Sequence, residues 1–265
     1  GVTNFILEPL KKNTAPAIAL IVKYLEAQFC EDEVIFLLPS DHLVSPWKDF
    51  KKYIQQAEQI AKQGKIVLFG IRPNKPETGY GYIKTNNVEC KIENVRESYL
   101  EVEEFKEKPD FLTAQKYLMQ DYYRNSMFMF SIKTIKQAFK EFWPDIAVID
   151  LSYDQFLAHF GQLQEISIDY AVMERAKNIE LIPMNIIWSD VGSRDSVYEN
   201  LAKDEQSNVL HGNIKTHEVS KSMIWSESKK IIIDGFDDVI LIETDDGIVL
   251  TRRGYSQNVG NLLSL

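Results

Sequence analysis

The run Val34-Ile-Phe-Leu-Leu-Pro-Ser-Asp-His42 decides the fold. Five apolar residues, Val34 to Leu38, stand unbroken before Pro39 stops them and a polar Ser40-Asp41-His42 follows. An apolar run of this length without alternation reads as a strand buried on both faces of a sheet. Open α/β sheets bind ligands just outside the carboxyl edge of such strands. Asp41 therefore sets a short, hard-oxygen carboxylate where a ligand would sit, the kind of group Mg²⁺ takes when it bridges phosphates. Aspartate also caps turns, and this stretch alone fits both readings.

Working outward, Val2–Leu7 reads as a preceding strand ended by Glu8-Pro9. Thr14 is the expected N-cap of a helix that tolerates Pro16 in its first turn and buries Ile18, Ile21, Val22 and Leu25. Ser45-Pro46 should open a second helix that closes near Gly64, and Ile66–Gly70 is the next buried strand. This alternation predicts an α/β fold with a doubly wound, mostly parallel sheet. A chain that opens inside a strand of such a sheet also points to an earlier βαβ unit outside these residues.

The segment Ile71–Ile83 carries two prolines and two glycines and is expected to be irregular. There Gly79 and Gly81 either let the backbone approach a ligand or make a plain turn. A meander over Val88–Phe105 leads into Phe105-Lys-Glu-Lys-Pro109, and Asp110 caps a helix over Phe111–Met119. A strand is expected over Tyr122–Phe130, and helices over Ile132–Phe142 and Pro144–Phe160. Next come a Ser167-capped helix through Ala176, a strand over Ile179–Pro183, a polar turn Trp188–Gly192 and a helix from Ser193 to Lys203. From Gly212 short β-branched runs recur between Asp, Gly and Ser, the signature of an all-β element. The expected domains are 1–207 and 208–265.

Composition narrows the function. A net charge of -9 argues against a nucleic-acid surface, which carries a basic face. Two cysteines make neither a disulfide framework nor a metal-ligand spacing, which fits a reducing cytoplasm. No apolar run approaches the roughly 20 residues that span a bilayer. No membrane partner is expected.

Taken in order, LEPLKKNTAPAIAL, LPSDH, FGIRPNKPETGYGYI, FKEKPD, RNSMFMF, SIDYAVME and WSDVGS, followed by the β-rich tail, resemble the nucleotidyl-sugar transferases. Within them the chain looks like the bacterial-type mannose-1-phosphate guanylyltransferase (GDP-mannose pyrophosphorylase) family. The resemblance implies transfer of GMP from GTP to mannose 1-phosphate, with pyrophosphate released and Mg²⁺ as cofactor. Such a transfer needs positioning and charge neutralisation more than covalent catalysis.

The same resemblance implies that Asp41 and Asp190 are the metal ligands; the other reading of Asp190 is a helix cap. Lys108 is a point charge for the sugar phosphate, and Glu107 beside it would accept from two sugar hydroxyls, unless both belong to a solvated charge run. Asn125 and Asp169 complete the hydroxyl partners, with Tyr80 and Gly81 lining the sugar pocket. Asp169 also fits the acidic first turn of its helix. A buried Glu8 would pair with the adjacent N1–H and N2–H₂ donors of guanine and reject bases that lack them. Asn13, Thr14, Ala15 and Ser40 complete the nucleotide side.

The sequence departs from the family pattern in three places. No GxGxR-like loop occurs to cradle the triphosphate, so these residues alone are expected to be a poor catalyst. Arg124-Asn125-Ser126-Met127 stands where the family has Trp-Asn-Ser-Gly-Met, and Gly192-Ser193-Arg194 where it has Gly-Ser-Trp. These departures leave a non-catalytic sugar-nucleotide-binding paralogue as the alternative. The tail resembles the family's short left-handed β-helical appendage, a surface for pairing in a possible homodimer.

Overall fold

In the computed structural model, residues 4–91, 98–125, 127–256 and 259 are described. The chain divides into two compact units: residues 1–40 with 45–187, and residues 41–44 with 188–265. The division falls upstream of the expected boundary between residues 207 and 208. The reason is helix packing: Tyr198 is buried with Val209, Met223 and Ile240, so the segment after Trp188 joins the β tail.

In the first unit, α1 (Thr14–Glu26) precedes β1 (Val34–Leu37), α2 (Trp47–Ala61) and β3 (Ile66–Ile71), while Leu43 and Val44 of the intervening β2 (Leu43–Ser45) belong to the second unit. Then come β4 (Gly81–Lys91), β5 (Ser98–Glu107), α3 (Phe111–Met119), β6 (Tyr123–Asn125), β7 (Phe128–Ser131), α4 (Ile132–Phe142), α5 (Tyr153–His159) and β8 (Ile179–Met184). Of the expected meander, residues 92–97 lie outside the described residues. The sheet order is β1-β7-β3-β6-β4-β5-β8, with β3 also paired to β8.

Both faces of the sheet are covered around β3 and β7, but the expected burial of Val34–Leu38 on both faces is corrected: β1 ends the sheet order, so only Ile35 is fully buried, Val34, Phe36 and Leu37 are half-buried and Leu38 is exposed. Ile66, Leu68, Phe128 and Phe130 join the core formed with α1 and α4. On the opposite face Phe36 and Phe69 meet Phe50 of α2, with ring centroids 5.1–6.2 Å apart. Each such ring contributes roughly 1.5–3 kcal/mol of burial free energy.

The expectation of a mostly parallel sheet is corrected. Among the described pairings in this sheet only β3–β8 is parallel, and β7 runs antiparallel between β1 and β3. The β1-α2-β3 crossover leaves a strand-wide gap, which the fully buried β7 fills from the other direction.

Four local expectations also change. Asn4–Leu7 is not a strand: it has no ladder partner, and Phe5 and Leu7 are exposed, while Val2 and Thr3 lie outside the described residues. Asn13, not Thr14, caps α1 by accepting the Thr14 N–H. The Tyr122–Phe130 strand breaks in two because the Asn125 side chain captures the Met127 N–H at 3.2 Å. The Pro144–Phe160 helix divides into a 3₁₀ turn and α5, which restarts on a Ser152–Gln155 capping box.

The second unit begins with the end of β9 (Ile187–Ser189), which pairs with β2, and continues through α6 (Arg194–Asn200). Its strands β10 (Val209–His211), β12 (Met223–Ser226) and β14 (Val239–Thr244) stack parallel, and β11 (Ile214–His217) pairs parallel with β13 (Ile231–Asp234). A hairpin strand, β15 (Gly247–Arg252), closes one edge of the larger stack.

Candidate active site

A cavity of about 400 Å³ opens in the first unit at the carboxyl end of β1, where Leu37, Leu38 and Pro39 form one wall. Seven of the candidate residues line it: Thr14, Tyr80, Gly81, Glu107, Lys108, Asn125 and Asp169. They come from α1, the loop before β4, the end of β5, β6 and the turn at 169, so the fold gathers what the sequence scatters.

Glu107 is buried at the end of β5 with only 7 % of its surface exposed. Burial pushes its carboxyl up to about 7; the negative charge of Asp169 adds to the rise and Lys108 opposes it. The Lys108 ammonium stands 3.6 Å from Glu107 Oε1 and is otherwise exposed toward solvent. Its backbone is left-handed, with φ 43°, and its N–H donates to the Tyr80 carbonyl at 3.2 Å. A non-glycine residue in that region is uncommon and is held there by its surroundings.

Gly81 is required by packing: a Cβ there would meet Phe105 Cζ at 2.4 Å and Glu107 Oε2 at 3.0 Å. Gly79 instead faces open space, and it is the glycine whose missing side chain leaves room at the cavity. Tyr80 is half-buried, and the Arg124 guanidinium lies 5.0 Å from its ring centroid.

Asn125 is buried in the same wall. Its Oδ1 accepts the Phe69 N–H at 3.0 Å and the Met127 N–H at 3.2 Å, which fixes the amide's orientation. Its Nδ2 is buried with no protein partner among the described residues. Such a donor is costly to leave unpaired.

Asp169 opens a π-helical turn (Asp169–Met173), a correction to the regular helix expected after Ser167. Single π turns recur at functional sites. Burial raises the Asp169 pKa, while its own N–H and the Ser167 hydroxyl hold it down. Thr14 is tied in as well, its Oγ1 accepting the Ile168 N–H at 2.9 Å.

The remaining nucleotide-side candidates do not line this cavity. Ala15 is wholly buried and its N–H donates to Ile166, so it is core and not the expected base-side wall. Asn13 is exposed and spends its Oδ1 on the cap; Ser40 is exposed. Glu8 is exposed too, on an unpaired extended segment, so the buried carboxylate expected there is not present.

Asp41 and Asp190 belong to the second unit. Asp41 is exposed, and Ser193, not Asp190, caps α6 by accepting the Ser196 N–H. Both carboxylates act on one imidazole: burial lowers the His42 pKa, while Asp41 and Asp190 each oppose that shift. His42 Nε2 lies 3.9 Å from Asp41 Oδ1 and packs edge-on against Trp188. Gly192 leaves the space that Asp190 uses, since a Cβ there would come within 2.8 Å of its Oδ2. Among the described residues no group of three or more His, Cys, Asp or Glu could hold a metal by itself. Two carboxylates of this kind suit a cation that keeps waters and takes substrate phosphates as its other ligands.

Sequence reasoning assigned no role to Glu174, five residues beyond Asp169. A 3.6-residue period puts positions five apart on different faces; the π turn brings them together, with the Glu174 N–H donating to the Asp169 carbonyl at 3.0 Å.

Residues 2–207 match the family described as nucleotidyl transferase. The chain belongs to the nucleotidyl transferase family. It is 40% identical to a mannose-1-phosphate guanylyltransferase of Salmonella muenchen, over 97% of this chain and 56% of that protein. A protein of the same name from Escherichia coli (strain K12) is 35% identical, again over 97% and 56%. The chain thus spans a little over half the length of these relatives. Its fold matches the crystal structure of a Thermus thermophilus protein described as a mannose-1-phosphate geranyltransferase, with TM-score 0.81 at 24% identity, over 98% of this chain and 76% of that one. Among the described residues no helix is long and apolar enough to cross a membrane.

Proposed function

We propose that this chain takes part in transfer of GMP from GTP to mannose 1-phosphate, giving GDP-mannose and pyrophosphate. The observation that carries the reading is the cavity of the first unit. A buried carboxylate, Glu107, a half-buried one, Asp169, and an unpartnered Asn125 amide line the same space as the Lys108 ammonium. Hydroxyls need acceptors and donors together, and a phosphate needs a cation; a hexose 1-phosphate presents both requirements in one small molecule. Curated relatives that bear the name of this activity support the choice of mannose.

In this reading Glu107 and Asp169 accept from sugar hydroxyls, Asn125 Nδ2 donates to one, and Lys108 pairs with the phosphate. Asp41 and Asp190 hold Mg²⁺, which supplies charge neutralisation on the phosphates. Glu8, being exposed, is reachable by a purine edge, and its carboxylate matches the paired donors of guanine. The stacked parallel strands of the tail serve as a short β-helical appendage and as a surface for homodimer pairing.

Pyrophosphate release by the whole protein, measured with Mg²⁺, mannose 1-phosphate and each of the four nucleoside triphosphates in turn, tests the reaction. Release with GTP alone is expected. Release that does not depend on mannose 1-phosphate would overturn the assignment, and binding without turnover by the whole protein would favour a paralogue that only binds.

A further inference from the structure

Glu174 lies outside the cavity lining, yet it touches the backbone of the residue on which the site turns. Its Oε1 accepts the Glu107 N–H at 3.1 Å and stands 3.3 Å from Lys106 Nζ. The Glu174 side chain is itself about three-quarters buried, with 23% exposed. Its own N–H closes the π turn on the Asp169 carbonyl. One residue therefore joins the two segments that bring the cavity its carboxylates: the end of β5, carrying Glu107 and Lys108, and the turn carrying Asp169.

From this geometry we infer that Glu174 is a positioning residue, a clamp that sets Glu107 and Lys108 against Asp169 at the spacing a bound hexose phosphate requires. The left-handed Lys108 shows why a clamp is needed. A backbone in that region relaxes unless its neighbours fix it, and Lys108 is fixed on one side by the Tyr80 carbonyl. Glu174 fixes the other side, through the N–H of the preceding residue. The carboxylate also carries charge, and it raises the pKa of both Glu107 and Asp169. Position and charge can thus be removed separately. The groups facing Glu107 are Asp169 from the turn, Lys108 from its own strand end, and Glu174 itself.

The inference rests on the sugar-phosphate reading of the cavity. Its test is calorimetric titration of mannose 1-phosphate into wild-type protein, Glu174→Ala and Glu174→Gln, each at several pH values, with thermal midpoints recorded alongside. Glu174→Ala should weaken binding by about tenfold, the scale of one lost charge-assisted hydrogen bond. Glu174→Gln keeps an acceptor for the Glu107 N–H and should recover most of that loss. Without the neighbouring negative charge, it should also move the pH midpoint of binding downward.

A purely structural role predicts something else: binding and its pH midpoint stay at wild-type values while the thermal midpoint falls. That result would overturn the clamp and leave the sugar-phosphate reading standing. Wild-type protein that fails to bind mannose 1-phosphate would overturn both.

Discussion

The Asn125 side-chain carbonyl accepts the backbone N–H of Phe69 at 3.0 Å, tying the edge of the cavity to the buried strand β3. That bond turns the amide nitrogen away from the backbone and leaves it unpaired among the described residues. Asn125→Ala would strand two buried N–H groups and should cost roughly 2–4 kcal/mol of stability. Asn125→Asp keeps both acceptor bonds, removes the donor and adds an ionisable carboxyl beside Glu107 and Asp169. Its fold should survive while affinity for mannose 1-phosphate drops. Chemical denaturation and calorimetry on the two variants separate these effects, and an Asp variant that binds like wild type would remove Asn125 from the ligand's partners.

Gly81→Ala tests packing behind the site. The new methyl would strike the Phe105 ring and the Glu107 carboxylate, so Glu107 must shift. Overpacking of this kind typically costs about 1–3 kcal/mol, and sugar-phosphate binding should weaken with it. Gly79→Ala meets no atom within 4 Å and should leave the thermal midpoint unchanged.

Glu107 illustrates a site whose binding chemistry opposes stability. Its pKa in the folded protein, about 7, lies above its ordinary value of 4.5, so the folded state holds a proton that the unfolded chain releases. Stability is therefore highest below pH 4.5 for this group and declines as pH rises toward 7. Glu107→Gln lacks this decline and should be more stable than wild type above pH 7, by up to about 3 kcal/mol. Denaturant midpoints at pH 5 and pH 8 check it: the gap between variant and wild type should open only at the higher pH.

Glu243 works in the other direction. Its buried carboxylate accepts from the Ser226 and Ser228 hydroxyls, the Glu227, Ser228 and Lys229 N–H groups, and the Lys229 ammonium. These bonds hold its pKa well below the usual carboxylate range. The stability it contributes is present above the unfolded value near 4.5 and lost as pH falls through the lower folded value. Glu243→Gln should lower the thermal midpoint at pH 7 and flatten its fall in acid. A variant that melts with the wild-type acid profile would show that the turn at 226–229 does not depend on the charge.

The sequence made some of this legible and hid the rest for physical reasons. The strands at Val34–Leu37 and Ile66–Ile71 were readable as unbroken apolar runs, but only the second is buried along nearly its whole length; β1 lies at the end of the sheet order with Ile35 alone fully buried. The candidates from Gly81 to Asp169 were legible as candidates because motifs fix them locally; the fold brings seven candidates to one cavity, six of them expected on the sugar or phosphate side. Strand direction was not readable, since Phe128–Ser131 carries no mark of which neighbours it will pair with. The Glu174 contact was hidden because it depends on a π turn, which shifts register by one residue. Asn125 drew attention for its chemistry, but only the fold shows that its carbonyl is used and its nitrogen is not. Ala15 misled because a small residue suits a ligand wall and a tight core equally well, and here the core takes it.

The central claim is that the first unit's cavity binds a hexose 1-phosphate through Glu107, Asp169, Asn125 and Lys108. Titration of mannose 1-phosphate into the protein between pH 5.5 and 8.5, beside Glu107→Gln, tests it most directly. Saturable binding should tighten as pH rises through about 7, where the Glu107 carboxyl ionises and gains its acceptors. The Gln variant should bind weakly and lack the tightening that Glu107 ionisation gives near pH 7. Wild-type binding that is absent, or equal in both proteins across the whole range, would contradict the account.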